Sequence, residues 1–142
     1  MIDVDLVTRK LLLITSDLQA LAPLAAKSRE AYLANPIDEV LAERYLERLI
    51  GRMIDINYHL LTESGQAPPP DYHRSFVELA AIGVLDPVFA RRIAISAGLR
   101  NRIVHEYDAI DPAKVHEALQ TALSEVGEYL SRVRAWMERG TG

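Results

Sequence analysis

The sequence predicts an all-α protein, and three observations carry that prediction. Apolar residues recur at three- and four-residue steps over long segments, the period of a helix with one buried face. Leucine, alanine and arginine dominate, and the β-branched alternation expected of strands is missing. Three pairs, Asn35-Pro36, Asp86-Pro87 and Asp111-Pro112, mark helix starts. In each, the Asn or Asp side chain can accept a bond from a first-turn amide, and Pro lacks only an N–H that would have no partner.

These signals divide the chain into five helices. The first spans residues 3–33, with Pro23 expected to kink or interrupt it. The second runs from 36 to 64 and ends at Gly65, where the run Pro68-Pro69-Pro70 cannot be helical. A short third helix covers 72–82, with Asp71 as its cap and Gly83 ending it in a left-handed conformation. The fourth spans 87–107. The fifth, 112–138, carries the clearest stripe: Val115, Leu119, Ala122, Leu123, Val126, Tyr129, Leu130, Val133, Trp136 and Met137, with Glu117, Glu125, Arg132 and Arg134 expected in water opposite it. Long helices with short connections favour antiparallel packing, so the expected architecture is an antiparallel four-helix bundle with an additional short helix. The breaker at 65–70 is too short for an interdomain linker, and residues 1–142 read as one helical domain.

Composition narrows the function classes. With 142 residues, 49% hydrophobic and 25% charged, the chain is long enough to bury a core without disulfides or metals. It has no cysteine, which excludes thiol nucleophiles, zinc ribbons and iron–sulfur sites. The longest aliphatic run, Leu11 to Ile14, is far too short to span a bilayer, and the acidic start is unlike a signal peptide, so a cytoplasmic protein without a membrane span is expected. The net charge of -4 gives no global footprint for nucleic acid. Yet Arg91, Arg92, Arg100 and Arg102 fall within twelve positions, so any such contact is local to them, unless they simply decorate an exposed helix face.

The chemistry concentrates between Gly98 and Asp108. Arg100, Asn101, His105 and Tyr107 form an Arg-Asn-x3-His-x-Tyr pattern at a helix end. This pattern resembles the Arg-x4-His-x-Tyr motif of the HepT-like toxins, a branch of the HEPN superfamily of α-helical ribonucleases. The runs from Ala80 to Pro87 and from Ile54 to His59 are similar to that family too. The resemblance implies an HEPN-like fold and a homodimer with a composite cleft. It also implies a toxin of a toxin–antitoxin pair that cleaves cellular RNA, and a partner nucleotidyltransferase antitoxin of the MntA type that attaches AMP to the matching tyrosine, Tyr107.

The residue chemistry agrees with metal-independent cleavage, in which a 2′-hydroxyl attacks the adjacent phosphate. Histidine, with an ordinary pKa of about 6.5, holds either protonation state near neutrality and can serve as base or acid. Arginine supplies a permanent cation whose planar fork grips two phosphate oxygens. His105 and Arg100 are therefore the expected catalytic pair, with no cofactor and no metal. Five residues apart on an ideal helix, they point about 140° apart, a mismatch that two copies across a two-fold axis would resolve. Asn101, His105 and Asp108 share a face on an ideal helix. Asn101 either supports the site, by orienting the imidazole or touching phosphate, or only helps end the helix; Asp108, if close, would favour the imidazolium.

Other candidates carry less. Asp55 and His59 are four apart and read as a metal half-site or, more readily, as a buried hydrogen-bonded pair. His73 and His116 read as surface residues, and Arg102 with Glu106 as an exposed ion pair. Trp136 and Met137 read as core or subunit interface. Gly51, Gly98 and Gly127 sit inside helices, and Gly98 would allow close approach of a second helix or an RNA backbone. The alternative to a ribonuclease is a non-catalytic helical subunit that binds a nucleotidyltransferase. Nothing in the sequence points to DNA.

Overall fold

The computed structural model describes residues 1–141, and among them every regular element is helical. The elements are α1 (Val4–Ala25), α2 (Arg29–Leu33), α3 (Pro36–Glu63), α4 (Tyr72–Val77) with a 3-10 turn at Glu78–Ala80, α5 (Pro87–Ile93), α6 (Ile95–His105) and α7 (Pro112–Thr141). The three Asx-Pro starts form as the sequence requires. Asn35 accepts from the Ile37 amide at 3.1 Å, Asp86 from Val88 and Phe89 at 3.1 and 3.2 Å, and Asp111 from Ala113 at 3.0 Å. Asp71 caps α4 through the Arg74 amide at 2.7 Å, and Gly83 ends the following turn at φ +80°.

Polar rungs fix the direction of the long helices. Met1 pairs with Glu63, Lys10 with Asp55 at 3.1 Å, Arg52 with Asp17 at 2.7 Å, and Lys27 with Asp38. Residue numbers rise on α1 as they fall on α3, so the two are antiparallel. Gln120 donates to the Ala25 carbonyl at 2.8 Å, which places the start of α7 at the end of α1 and makes that pair antiparallel as well. With α5 and α6 as the remaining leg, the result is the antiparallel four-helix bundle, with α4 as the added short helix. One continuous core runs through it, from Leu11, Ile14 and Leu21 of α1, through Leu46, Leu49 and Met53 of α3, to Leu119, Tyr129 and Val133 of α7.

Several boundaries differ from the sequence expectation. The first predicted helix is two, and it parts at residues 26–28, not at Pro23. Pro23 is carried inside α1, and Ser28 restarts the helix by accepting from the Ala31 amide at 3.1 Å. The third is shorter, since the chain tightens to 3-10 geometry after Val77. The fourth divides at Ala94, where the Ala97 amide bonds back only three residues, and it ends at His105, not at 107. Glu125 and Arg132 do not stand in water. Arg92 pairs with Glu125 at 3.4 Å, and the Arg132 guanidinium lies 5.4 Å from the Phe89 ring centroid. His116 is no loose surface residue either. Its Nε2 is 2.8 Å from the Lys27 carbonyl, and its ring packs 5.0 Å from that of Tyr32. Trp136 is half-buried and donates to the Ile82 carbonyl at 3.0 Å.

A largely buried polar chain fastens α4 to α3 and α7. The Tyr129 hydroxyl lies 2.6 Å from Asn57 Oδ1, Asn57 Nδ2 donates to Ser75 Oγ at 3.1 Å, and Ser75 Oγ donates to the Tyr72 carbonyl at 2.6 Å. Asn57, Ser75 and Tyr129 are each completely buried, and burial pushes the Tyr129 phenol well above its ordinary pKa. Tyr129→Phe leaves the Asn57 carbonyl oxygen without a donor, which costs about 1–3 kcal/mol. Thermal melting followed by circular dichroism should show a midpoint lower by several degrees. A variant that melts with the wild type would refute the role of this chain of bonds.

Candidate active site

The Arg100–His105 segment forms the end of α6. The Glu106 amide bonds to the Arg102 carbonyl at 2.8 Å, and the chain then turns through residues 107–109 into the Asp111 cap of α7. Arg102 and His105 in the last turn face the negative end of the helix dipole, which favours cations there. α6 packs on α3 and α4. Between α6 and α7 this leaves a cleft of about 730 Å³, floored by Leu46, Leu49 and Ile50 and walled by Leu99, Ile110 and Val115.

The motif side chains occupy two sides of the helix end. Arg100 turns toward α3 and α4, where its guanidinium sits 5.3 Å from the Tyr72 ring centroid, a cation–π seat. Its NH1 is 3.5 Å from Asn101 Oδ1, and its Nε is buried without an acceptor among the described residues. His105 is exposed, and its imidazole makes no hydrogen bond or ion pair with any described residue. Tyr107 is 68% exposed on the turn beyond it. The structure thus brings Arg100 and Asn101 together but does not join either to His105 within one chain. Asp108 lies past the helix end, in the turn, so the face it was expected to share with Asn101 and His105 does not exist.

Weaker candidates resolve differently from their sequence reading. Asp55 and His59 form neither a metal half-site nor a buried pair: the Asp55 side chain is 60% exposed and bonded to Lys10, while His59 Nε2 accepts from the Asp3 amide at 2.9 Å. No group of three His, Asp or Glu side chains among the described residues is placed to hold a metal ion. Arg102 and Glu106 make no ion pair with each other; both line the cleft beside α7. His73 is exposed, and Met137 is core. The space beside Gly98 is taken in part by the Arg102 side chain, 3.4 Å from where a Cβ would stand. Tyr72, which seats Arg100, did not stand out in the sequence. Nor did Arg48 and Arg52, although Arg44, Arg48 and Arg52 recur at four-residue steps that put them on one face of α3.

The family model of HepT-like ribonucleases matches residues 13–133, which takes in most of the bundle and the Arg100–Tyr107 motif. The chain belongs to this family. It is also 36% identical over 110 residues to the tRNA nuclease HepT of Aphanizomenon flos-aquae, covering 78% of this chain and 75% of that protein. Among solved structures, the fold of this HepT-like chain is shared with a tri-AMPylated HEPN toxin of Shewanella oneidensis in complex with an MNT antitoxin. The TM-score is 0.83 at 19% identity, over 92% of this chain and 98% of that one. It is shared equally with the cytosolic protein YutE of Bacillus subtilis, of unknown function, at TM-score 0.86 and 14% identity, over 98% and 93% of the two chains. At these identities the structural likeness concerns the fold alone. No helix among the described residues is long and apolar enough to cross a membrane.

Proposed function

We propose that this HepT-like chain is the toxin of a toxin–antitoxin pair, a metal-independent endoribonuclease that cuts cellular RNA in the cytoplasm as a homodimer. The observation that carries this reading is the exposed His105, bonded to no described residue, at the end of the helix that holds Arg100, inside a family whose curated relative is a tRNA nuclease. In the proposed step one His105 takes the proton of a ribose 2′-hydroxyl as its oxygen attacks phosphorus. The second copy's imidazole gives a proton to the departing 5′-oxygen. A cyclic 2′,3′-phosphate and a 5′-hydroxyl result, with the protons balanced between the two rings. Arg100 draws charge from the pentavalent phosphate, and Asn101 steadies its guanidinium. Arg100 and His105 lie on different sides of α6, so one chain alone does not surround a phosphate. The apolar cleft beside α6 offers a second copy surface to bury.

The reading is tested by incubating the purified protein with tRNA in EDTA. Cleavage with cyclic phosphate ends is expected; intact RNA, or cleavage only after a divalent metal is added, overturns it. The composite cleft predicts a further result. Arg100→Ala and His105→Ala chains, each inactive alone, should recover a small part of the activity when mixed under exchange, because the mixed dimer holds one arginine and one of the two imidazoles. A wild type that sediments as a monomer while fully active would refute the dimeric site.

Regulation is proposed to run through a nucleotidyltransferase of the MntA type. In that step the Tyr107 hydroxyl attacks the α-phosphorus of ATP, an O–P bond forms, pyrophosphate leaves, and the phenolic proton passes to the partner's base. The adenylyl group adds a negative charge and a bulky base beside the cleft.

A further inference from the structure

A second feature adjoins the motif. Between α3 and the α4–α6 side lies a groove of about 500 Å³ lined by Arg48, Arg52, Tyr58, Tyr72 and Arg100, with Gly51 among its walls. Arg48 and Arg52 reach the same carboxylate, Asp17, at 3.4 and 2.7 Å, and Asp17 is only 4% exposed. One buried negative charge thus holds two guanidinium groups in place and leaves a surplus of positive charge. The remaining acids at the groove are engaged, Glu47 with Arg44 at 3.5 Å and Asp55 with Lys10 at 3.1 Å. Of the charged side chains that line the groove, Arg48, Arg52 and Arg100 outnumber Glu47 and Asp55, in a chain whose formal charge is -4. Beside these cations stands an aromatic pair, Tyr72 edge-on to Tyr58 with centroids 6.3 Å apart. A Cβ built on Gly51 meets nothing within 4 Å, so packing does not require glycine there and the space above it is open.

We propose that this groove binds a single-stranded stretch of the RNA substrate, a phosphate seated on Arg48 and Arg100 and an unpaired base against Tyr72. The inference rests on the ribonuclease reading and names the form of RNA it acts on. Guanidinium forks match phosphate oxygens, and an aromatic face accepts any base, the combination by which proteins hold single strands. A fully paired A-form duplex keeps its bases stacked inside and offers none to Tyr72. Arg100 belongs to both the groove and the motif, so a strand seated here reaches the arginine of the proposed cleft, while His105 stands roughly 7.5 Å further along the axis but on another side of α6, where the composite cleft brings in the second copy.

The test uses a fluorescent single-stranded RNA with 2′-O-methyl riboses, which lacks the attacking hydroxyl, and reads affinity by anisotropy at several salt concentrations. Gly51→Leu fills the groove and improves the helix, so it should melt no lower than wild type while binding roughly tenfold or more weakly. Arg48→Ala leaves Asp17 paired to Arg52 and should flatten the slope of log affinity against log salt by about 0.7, one phosphate contact. Wild-type affinity in both variants overturns the groove, as does a wild type that binds a fully paired duplex as tightly as the single strand or binds neither. The two readings separate cleanly. Cleavage of natural RNA with unaffected variants removes the groove and leaves the nuclease. Weakened variants without any cleavage of natural RNA support the groove and remove the nuclease.

Discussion

His105→Ala is expected to abolish RNA cleavage while leaving the fold as it stands. The His105 ring is exposed and bonds to no described residue, so its removal forfeits little of the folded state. The helical circular-dichroism spectrum and the melting midpoint should therefore match the wild type closely. Activity should behave otherwise. A positioned acid or base accelerates proton transfer by about 10²- to 10⁴-fold, and in a composite cleft the substitution removes both groups at once. The expected loss is thus at the upper end of that range or beyond, measured as initial rates of tRNA cleavage on denaturing gels. Arg100→Ala should lose activity too, but less cleanly. Its side chain is part of the packing over Tyr72, so a small drop in melting temperature accompanies it. Equal cleavage by purified His105→Ala would refute the acid–base role. It would leave the non-catalytic reading, a helical subunit that only docks a nucleotidyltransferase.

The contrast between these residues shows what the sequence could and could not disclose. Asn35, Asp86 and Asp111 were legible as caps because a cap is a local bond, closed within two or three residues. The division at Ala94 was not, since both sides of it have good helix formers and only a three-residue bond marks the change. At Asp55 and His59 the four-residue spacing was real but its meaning was not local. Each side chain finds its partner on α1 or at its N-cap, 45 and 56 residues away, and a spacing cannot show that. The motif itself was legible as chemistry, a histidine and an arginine on a helix end. What needed the fold was the direction of each side chain: Arg100 inward over Tyr72, His105 outward into solvent. The arginine comb of α3 was likewise visible as a repeat. Its significance depends on Asp17, brought to Arg48 and Arg52 only when α1 lies antiparallel to α3.

Tyr107→Phe is expected to uncouple neutralisation from cleavage. Phenols keep their proton at neutral pH and make poor general bases, and the two imidazoles with Arg100 already supply what the reaction requires. Only a hydroxyl is lost, at a side chain that is 68% exposed and makes no hydrogen bond with any described residue, so most of the ribonuclease activity and the full melting temperature should remain. An enzyme that transfers AMP must reach the acceptor oxygen, and accessibility ranks the six tyrosines. Tyr32 and Tyr129 are completely buried, Tyr45 and Tyr58 are half-buried, and Tyr72 is 38% exposed with its ring beneath Arg100. Tyr107 alone presents its hydroxyl on an open turn next to His105. Incubated with the nucleotidyltransferase and ATP, the wild type should gain one or more AMP units in its intact mass and lose cleavage in parallel. The Phe variant should gain none and keep cutting. AMP found on Tyr72 in place of Tyr107, or complete inhibition of the Phe variant by the partner, would overturn the assignment. Neutralisation would then run through docking over the cleft and not through a covalent group beside His105.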